Sequence, residues 1–310
     1  MTSRRNQSGQ AFVLTVLMIT ALLGMAALVV DLGSWFRAHR ELQATADAAA
    51  LAGAQELPGS TGNANAFAVQ YAHKNTQGLT AVNVTFSSTL EPNDTIHVHV
   101  KKPAPGFFSK LFGIDSVDEG GKASAQVGGM QAAKYVAPIV VKNTHPMLTS
   151  CGGPCLGPGY ETTIPVGDTG APGAFALLNL LGGGTGTAGA SELADWIENG
   201  FDEELPLGGY YSSPGVKFNA HDIQEALGIR MNSETPVMMF PVYDTLSSQG
   251  SNAEYHIIGW APFHITSFEV HGTEGSITGY FDDIIWYGTL ATTSGGGGPN
   301  FGARTVQLVE

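Results

Sequence analysis

The chain has 310 residues, of which 43% are hydrophobic and only 13% are charged, and it contains 41 glycines. This composition favours β structure with many turns over a protein of long helices, in one or two globular units. The net charge of −13 lies entirely in residues 131–310, which hold five basic and 18 acidic side chains. A surface of that sign repels nucleic acid and anionic lipid headgroups, so we expect no nucleic-acid partner.

The most informative stretch is residues 11–30, with the sequence AFVLTVLMITALLGMAALVV. It carries no charge, and a bilayer hydrocarbon core about 30 Å thick needs about 20 apolar helical residues. We therefore predict a membrane span, which makes the lipid bilayer the first partner of the chain. A cleaved signal peptide is the alternative, but its apolar region would be shorter, at about 7–15 residues.

The charges around the span predict its orientation. Arg4 and Arg5 precede it, whereas Arg37 and Arg40 follow it in a segment that also contains acidic residues. By the positive-inside rule, this difference favours a cytoplasmic N-terminus. Because no second apolar stretch of this length follows, we expect a single-pass cell-membrane protein with an extracytoplasmic C-terminal domain.

The helical pattern continues past the span to about residue 56. Apolar and small residues recur at spacings of three and four from Leu32 to Gly53, and Pro58 with Gly59 ends the pattern. One helix over residues 10–56 would be about 70 Å long. Its many alanines leave a thin surface that another element can approach closely. Two interpretations stay open: this surface packs on its own domain, or it bundles with helices of other subunits.

Several short motifs in this segment carry a family resemblance. They are the span itself, Gly-Gln at 9–10, Val-Asp-Leu-Gly at 30–33, Leu-Gln at 42–43 and Ala-Asp-Ala-Ala-Ala-Leu-Ala at 46–52. The segment resembles the N-terminus of the TadE/TadG-like proteins of Flp (tight adherence, type IVc) pilus assembly. The resemblance implies a structural assembly component whose N-terminal helix contacts other pilus-assembly membrane subunits.

Further similarity favours the TadG-like branch of that family. Residues 190–200, 241–244 and 252–261 look like parts of TadG-related proteins. Pilin-like substrates of prepilin peptidase have a Glu five residues after the cleavage Gly, but here Leu14 stands five residues after Gly9. This difference favours the TadG-like interpretation, in which the anchor is retained.

Four regions are predicted along the chain. Residues 1–57 form the N-terminal tail, the anchor and its helical extension, and residues 58–130 form a small α+β domain close to the membrane. Residues 131–290 form a β-rich acidic distal domain, and residues 291–310 form a Gly-rich tail with a possible edge strand at 305–309. The expected fold class is α+β: a long transmembrane helix that continues into a small α+β domain, followed by a β-rich distal domain.

Periodicity places the elements of these regions. In the small domain, helices are expected at 63–75 and 105–113, with strands near 82–86, 96–100 and 123–127. In the distal domain, helices are expected at 190–199 and 219–227, with strands at 137–141, 236–243, 254–270 and 275–288. The order in the small domain suggests helices that cover one face of an antiparallel sheet.

The predicted turn at 105–113 combines aromatic and basic residues. Lys110 lies among Phe107, Phe108, Leu111 and Phe112. Such a turn close to the membrane could rest on lipid headgroups. We favour the other interpretation, in which the aromatic side chains lie in the core, because the adjacent strands need an apolar cover.

Cys151 and Cys155 are the only cysteines. Outside the cytoplasm, two cysteines four residues apart in a Gly/Pro-rich loop most simply form a disulfide. A zinc site would need two further ligands, and only His145 is close in sequence. A catalytic cysteine would need a His or Asn partner, and none is recognisable. We predict a disulfide between Cys151 and Cys155.

Gly184, Gly186 and Gly189 match the nucleotide-binding pattern G-x-G-x-x-G, and Glu204 lies where a ribose-binding acid would sit. No repeating βαβ units surround the pattern, and nucleotides are not expected outside the membrane. We expect a loop that leads into a helix capped by Ser191 or a glycine, with no nucleotide partner and no cofactor.

The remaining candidates are histidines and acidic clusters. They are His97 and His99 on one strand face; His256, His264 and His271; residues 202–204; and residues 282–283. The acidic clusters could bind Ca²⁺ but lack the spaced loop of a calcium site, so a solvated surface is expected. We predict no catalytic and no metal-binding residues. Two alternative functions stay open: an exported ligand- or Ca²⁺-binding module, and an exported hydrolase.

Overall fold

The computed structural model describes residues 8–167, 177–181, 188–213, 218–247, 253–271, 274–293 and 298–309, with side chains from residue 11 onward. The chain divides into two compact units, residues 1–126 with 308–310, and residues 127–307. The predicted fold class is confirmed: a long apolar N-terminal helix is followed by a small helix and a β-rich region.

The first unit contains two helices, three strands and one short 3₁₀ helix. These are α1 (Ser8–Ala54), α2 (Thr61–Asn75), β1 (Ala81–Ser87), β2 (Thr95–Pro105), β3 (Ser116–Gly128), whose last two residues belong to the second unit, and the 3₁₀ helix Ser109–Phe112. The strands are antiparallel neighbours in sequence order, with Val84 opposite Val98 and Val98 opposite Ala123. The predicted helices over one face of an antiparallel sheet are therefore present.

Helix α1 runs for 47 residues without a break. Beyond residue 41, one face is buried, and its buried residues are Leu42, Thr45, Ala46, Ala49, Ala50, Gly53 and Ala54. This face packs against α2, which buries Ala64, Ala68 and Ala72, and against β2. Of the two interpretations of the alanine-rich surface, the structure shows packing on its own domain.

Two glycines permit the close approach of α1 to its neighbours. A Cβ on Gly53 would lie 2.5 Å from Ile96 Cδ1 and 2.8 Å from the carbonyl oxygen of Ala64. A Cβ on Gly121, in β3, would overlap the backbone of Leu42. A Cβ at either position would lie closer to its neighbours than van der Waals contact allows, so only glycine fits at Gly53 and at Gly121.

Asp94 organises the turn between β1 and β2. Asp94 is 1% exposed, and its carboxylate accepts hydrogen bonds from the backbone N–H groups of Thr89, Leu90 and Glu91 at 2.8, 2.7 and 2.9 Å. The Thr95 hydroxyl and the Gln126 side-chain amide also donate to it, at 2.8 and 3.0 Å. Burial acts to raise the pKa of Asp94, but the hydrogen bonds outweigh it and the pKa is lowered.

The second unit is β-rich. Its strands are β4 (Met130–Ala133), β5 (Val141–Lys142), β6 (Thr162–Val166), β7 (Leu205–Pro206), β8 (Gly208–Tyr211), β9 (Val237–Ser247), β10 (Glu254–His271), β11 (Glu274–Phe281), β12 (Ile284–Ile285), β13 (Gly288–Leu290) and β14 (Ala303–Val309), whose last two residues belong to the first unit. Its helices are α3 (Pro146–Thr149), α4 (Ala190–Glu198) and α5 (His221–Met231).

Strand β10 is the centre of the larger sheet, whose order is β5-β9-β10-β11-β6, with β8 also paired to β10. The β5–β9 pair is parallel and the other pairs are antiparallel. Three aromatic rings pack across β9, β10 and β11: the ring centroids of Phe240 and Phe263 are 5.1 Å apart, as are those of Phe263 and Phe281. Strands β13, β4 and β7 form a second sheet, and β12 pairs with β14.

Two predicted strands of this unit are shorter than expected. The strand predicted over 137–141 is reduced to β5, Val141 and Lys142, because Pro138 has no N–H for a continuous ladder. The strand predicted over 275–288 stops at Phe281, and the Asp283 N–H donates to the Asp282 side chain at 2.9 Å. That local hydrogen bond competes with strand pairing, so the segment divides into β11, β12 and β13.

The close packing at Gly53 predicts the effect of an added methyl group. We expect Gly53→Ala to lower the free energy of unfolding by about 1–3 kcal/mol, because the methyl group overpacks the contact with Ala64 and Ile96. Gly33→Ala is the matched control, since nothing lies within 4 Å of its Cβ position and alanine favours a helix. Thermal unfolding of the detergent-solubilised full-length chain measures both. Equal melting temperatures for the two variants would contradict the close packing.

The lowered pKa of Asp94 predicts a pH dependence of stability. The stabilisation is fully present above the ordinary carboxyl pKa of 3.8 and is lost as the pH falls through the lower pKa of the folded state. We expect Asp94→Asn to be less stable at neutral pH and to lack this part of the acid-dependent loss. Unfolding midpoints from pH 7 downward measure it, with the exposed Asp118→Asn as control; parallel curves for wild type and Asp94→Asn would contradict the assignment.

Candidate membrane-proximal site

The N-terminal half of α1 presents apolar side chains in all directions. All side chains at positions 11–30 are exposed except that of Ala27, which is half-buried. The hydroxyls of Thr15 and Thr20 donate to the carbonyl oxygens of Ala11 and Val16 at 2.9 and 2.8 Å, so they need no outside partner. Among the described residues, this is the one helix long and apolar enough to cross a membrane. The surface is suited to lipid, because the polar groups are satisfied within the helix.

Asp31 ends this apolar segment and holds a distant turn. Its side chain is 3% exposed, and its carboxylate accepts hydrogen bonds from the backbone N–H groups of Phe107 at 2.7 Å, Phe108 at 3.1 Å and Ser109 at 2.6 Å. These N–H groups open the 3₁₀ helix and have no partner within it. The carboxylate thus joins the end of the apolar segment to the start of the turn through charge-assisted hydrogen bonds.

The turn, which we call the aromatic turn, comprises residues 105–115. It closes on itself through the Gly106 N–H, which donates to the Asp115 carbonyl at 3.0 Å, and the Ser109 hydroxyl, which donates to the Ile114 carbonyl at 2.9 Å. Ser34, one turn beyond Asp31 on α1, donates to the Pro105 carbonyl at 3.4 Å. The aromatic turn is therefore fixed beside residues 31–34 of α1.

The prediction that the aromatic side chains of this turn lie in the core is wrong. Leu111 and Phe112 are 82% and 85% exposed, and Phe107 and Phe108 are 60% and 44% exposed. The 3₁₀ helix buries none of its residues. The adjacent sheet is covered instead by α1 and α2, whose alanine-rich faces bring the helix backbones close enough to leave no space for aromatic rings.

A groove of about 480 Å³ lies between α1 and β3 on the same unit, lined by residues that include His39, Gln43, His99, Glu119 and Lys122. Its polar groups contact one another: His39 Nδ1 lies 3.5 Å from Glu119, and the Gln43 amide donates to the Lys122 carbonyl at 2.7 Å. Burial, with the charges of Lys122 and Lys101, lowers the pKa of His99. His97, two residues before His99 on β2, hydrogen-bonds the hydroxyls of Ser87 and Ser124, both at 2.8 Å.

Cys151 and Cys155 are joined by a disulfide with a Cα–Cα distance of 5.3 Å. The loop follows α3, and the Cys155 N–H donates to the Met147 carbonyl at 2.7 Å. His145 caps α3: its Nδ1 accepts from the Met147 N–H at 3.2 Å, and burial lowers the pKa of its ring. His145, the histidine nearest to the cysteines in sequence, therefore makes a helix-capping contact.

The glycine motif falls partly outside the described residues, which omit 182–187 and so Gly184 and Gly186. Gly189 is described and is the N-cap of α4; its N–H donates to the Glu192 carboxylate at 2.9 Å. Glu204, the candidate ribose-binding acid, accepts from the Thr289 hydroxyl at 3.0 Å. The described part of the motif thus acts as the predicted glycine cap of a helix.

Two of the other acidic candidates, Asp202 and Asp283, have partners within the second unit. Lys134 contacts Asp202 at 2.9 Å, which lowers the pKa of Asp202, and Arg304 contacts Asp283 at 3.0 Å. Among the described residues, no group of three or more His, Cys, Asp and Glu side chains could hold a metal ion. The acidic clusters give no specific support to a Ca²⁺ site.

Sequence reasoning missed one pair formed by a histidine and an aspartate. His256 Nδ1 lies 2.9 Å from Asp244, across paired strands β10 and β9, which is the acid–imidazole half of a hydrolase triad. In the part of the chain that the structure describes, no hydroxyl or thiol bonds the other ring nitrogen. His264 stacks on Tyr280 at 4.6 Å between ring centroids, and His271 lies 3.2 Å from Glu269. Only the strand register, which sequence spacing does not give, would have shown the His256–Asp244 and His264–Tyr280 pairs.

A comparison with known families matches residues 9–56 to the model described as Tad, putative Flp pilus-assembly TadE/G-like. The match covers α1 and confirms the resemblance inferred from the motifs of that segment. The description includes both the TadE and the TadG branch. No curated protein and no solved structure matches the chain.

Proposed function

From the TadE/G-like Flp pilus-assembly segment at residues 9–56, we propose that this chain is a TadG-like structural component of a Flp-type pilus or a related secretion system. The observation that carries the proposal is the coincidence of two findings in α1. The family match covers this helix, and its first 20 described side-chain positions expose an apolar surface of bilayer length. The chain is anchored in the cell membrane by this single span.

The proposed orientation has the N-terminus in the cytoplasm and residues 31–310 outside it. The two arginines before the span support this orientation by the positive-inside rule. The Cys151–Cys155 disulfide supports it as well, because disulfides persist in oxidising compartments. Leu14 in place of the Glu of processed pilins supports a retained anchor.

The proposed partners of α1 are other pilus-assembly membrane subunits, contacted through the span. The alanine-rich face of α1 beyond residue 41 is already covered by α2 and β2. Residues 11–30 are the part of α1 that leaves side chains open to other helices, and Thr20 and Gly24 are small residues four apart that allow close helix contact. The acidic second unit is proposed to make subunit or surface contacts outside the membrane.

A structural function fits the polar groups better than a catalytic one. Several candidate groups that the structure describes, among them His97, His145 and Glu204, bond to neighbouring side chains or backbone. The His256–Asp244 pair supports a hydrolase only in part, because a nucleophile is also needed. We propose that the chain has no enzymatic activity.

The proposed orientation is tested by cysteine accessibility in a Cys151→Ser/Cys155→Ser background. We expect a membrane-impermeant maleimide to label Glu234→Cys, an exposed position in the second unit, in spheroplasts. Ser3→Cys, before the span, should react only after permeabilisation, because the charge bias places it in the cytoplasm. Labelling of Ser3→Cys but not of Glu234→Cys in intact spheroplasts would show the opposite topology and contradict the proposal.

The proposed use of the span in assembly is tested by replacing residues 11–30 with a 20-residue Leu/Ala helix of equal length. The replaced chain should still sediment with membranes, because its hydropathy and length suffice for insertion. We expect it to fail to restore piliation in a deletion strain, because the side chains that contact partner helices are gone. Wild-type chain is the control, and full restoration by the replaced chain would exclude the span as the contact surface.

A further inference from the structure

We propose that the aromatic turn, residues 105–115, is a second membrane contact that enters the headgroup region of the leaflet from which α1 emerges. Phe107, Phe108, Leu111 and Phe112 would insert beside the span, with Lys110 directed to lipid phosphates. The inference rests on the proposed membrane anchoring of α1 and adds a site to it. The surface is defined by a polar clamp at Asp31 and by the exposed side chains that this clamp holds in place.

The first step is the level of the turn relative to the span. Asp31 directly follows the last apolar residue, Val30, and its carboxylate binds the backbone N–H groups of residues 107–109 at 2.6–3.1 Å. Ser34 binds the Pro105 carbonyl. Residues 31–34 rise only about 6 Å along the helix axis, and the headgroup region is about 5–8 Å thick on each side. The aromatic turn is thus held at the height of the headgroups.

The second step is the character of the exposed surface. Four large apolar side chains are together in one short turn, and two of them, Leu111 and Phe112, are more than four-fifths exposed. Clusters of this kind are unusual on soluble surfaces and mark contact sites. Exposed Phe36 on α1, with Arg40 placed 4.6 Å over its ring, extends the apolar surface along the helix just beyond the span.

The third step decides which partner fits. The cluster lies beside the end of the span, because Asp31 binds the backbone N–H groups of residues 107–109, and aromatic rings next to a lysine are typical of segments that lie in the membrane interface. Lys110 can extend its ammonium group to phosphate while its methylene chain stays with the aromatic rings. A bilayer therefore matches both the position and the composition of the aromatic turn, and a protein partner becomes an outcome of the test.

The experiment places an environment-sensitive NBD label on single introduced cysteines in the full-length chain, reconstituted in phosphatidylcholine/phosphatidylglycerol vesicles. The labelled variants are Phe112→Cys in the turn, Leu17→Cys in the span and Tyr71→Cys, an exposed aromatic position on α2. The native cysteines stay in their disulfide. Vesicles with lipids that carry a nitroxide near the headgroup, or along the acyl chain, serve as the quencher.

We expect headgroup nitroxide lipid to quench the label at position 112 and acyl-chain nitroxide lipid to quench the label at position 17, whereas neither should quench the label at position 71. Quenching at 17 without quenching at 112 would overturn the inference and leave the anchor intact. A blue-shifted but unquenched label at 112 would also overturn it, in favour of a protein partner. Absence of quenching at both positions would contradict the membrane anchor itself.

Asp31→Asn provides the second variant, combined with the label at position 112. Asparagine keeps one acceptor oxygen but turns an NH₂ group towards the N–H groups of Phe108 and Ser109, so it loosens the clamp. We expect the quenching at 112 to fall to less than half while the quenching at 17 is unchanged. Asp118→Asn, an exposed acid on β3, is the matched control and should change neither. Equal loss in both variants would assign the effect to net charge and contradict the clamp.

Discussion

One unbroken helix has to satisfy two different surroundings, and the first unit is built on that requirement. Over residues 11–30, α1 exposes apolar side chains on all sides, a surface suited to lipid or to other apolar helices. Beyond Leu42, one face of the same helix packs against protein, largely through alanines, and at Gly53 the contact leaves no room even for a methyl group. The transition between the two surroundings occurs at Asp31, where a buried carboxylate satisfies three backbone N–H groups. A charged residue can be buried there because these hydrogen bonds replace water.

The elements with a strong local pattern could be predicted from the sequence. The apolar run, the alanine spacing and the Pro-Gly stop located α1, and period-two alternation located β1 and β2. The segments that differed did so for local reasons as well. Pro138 cannot donate to a ladder, and Asp282 accepts from the N–H that a continuous strand would use.

The candidate site was less accessible to sequence reasoning for two physical reasons. Asp31 and Phe107 are 76 residues apart, and no periodicity relates an acid on a helix to the N–H groups of a remote turn. The aromatic turn was assigned to the core because apolar side chains give the same sequence signal whether protein or lipid covers them. The gap between α1 and the sheet is too narrow for these side chains, because alanines and glycines bring the backbones close together.

The continuity of α1 also has a mechanical consequence. The 47-residue helix has no proline and no break at the membrane boundary, so it transmits rotation as a stiff lever. The arm from Asp31 to Ala54 is about 35 Å long, and a change in tilt of about 10° within the bilayer would displace its far end by about 6 Å. Neighbouring helices that reorient the span could in this way reposition the sheet outside the membrane without any contact with it.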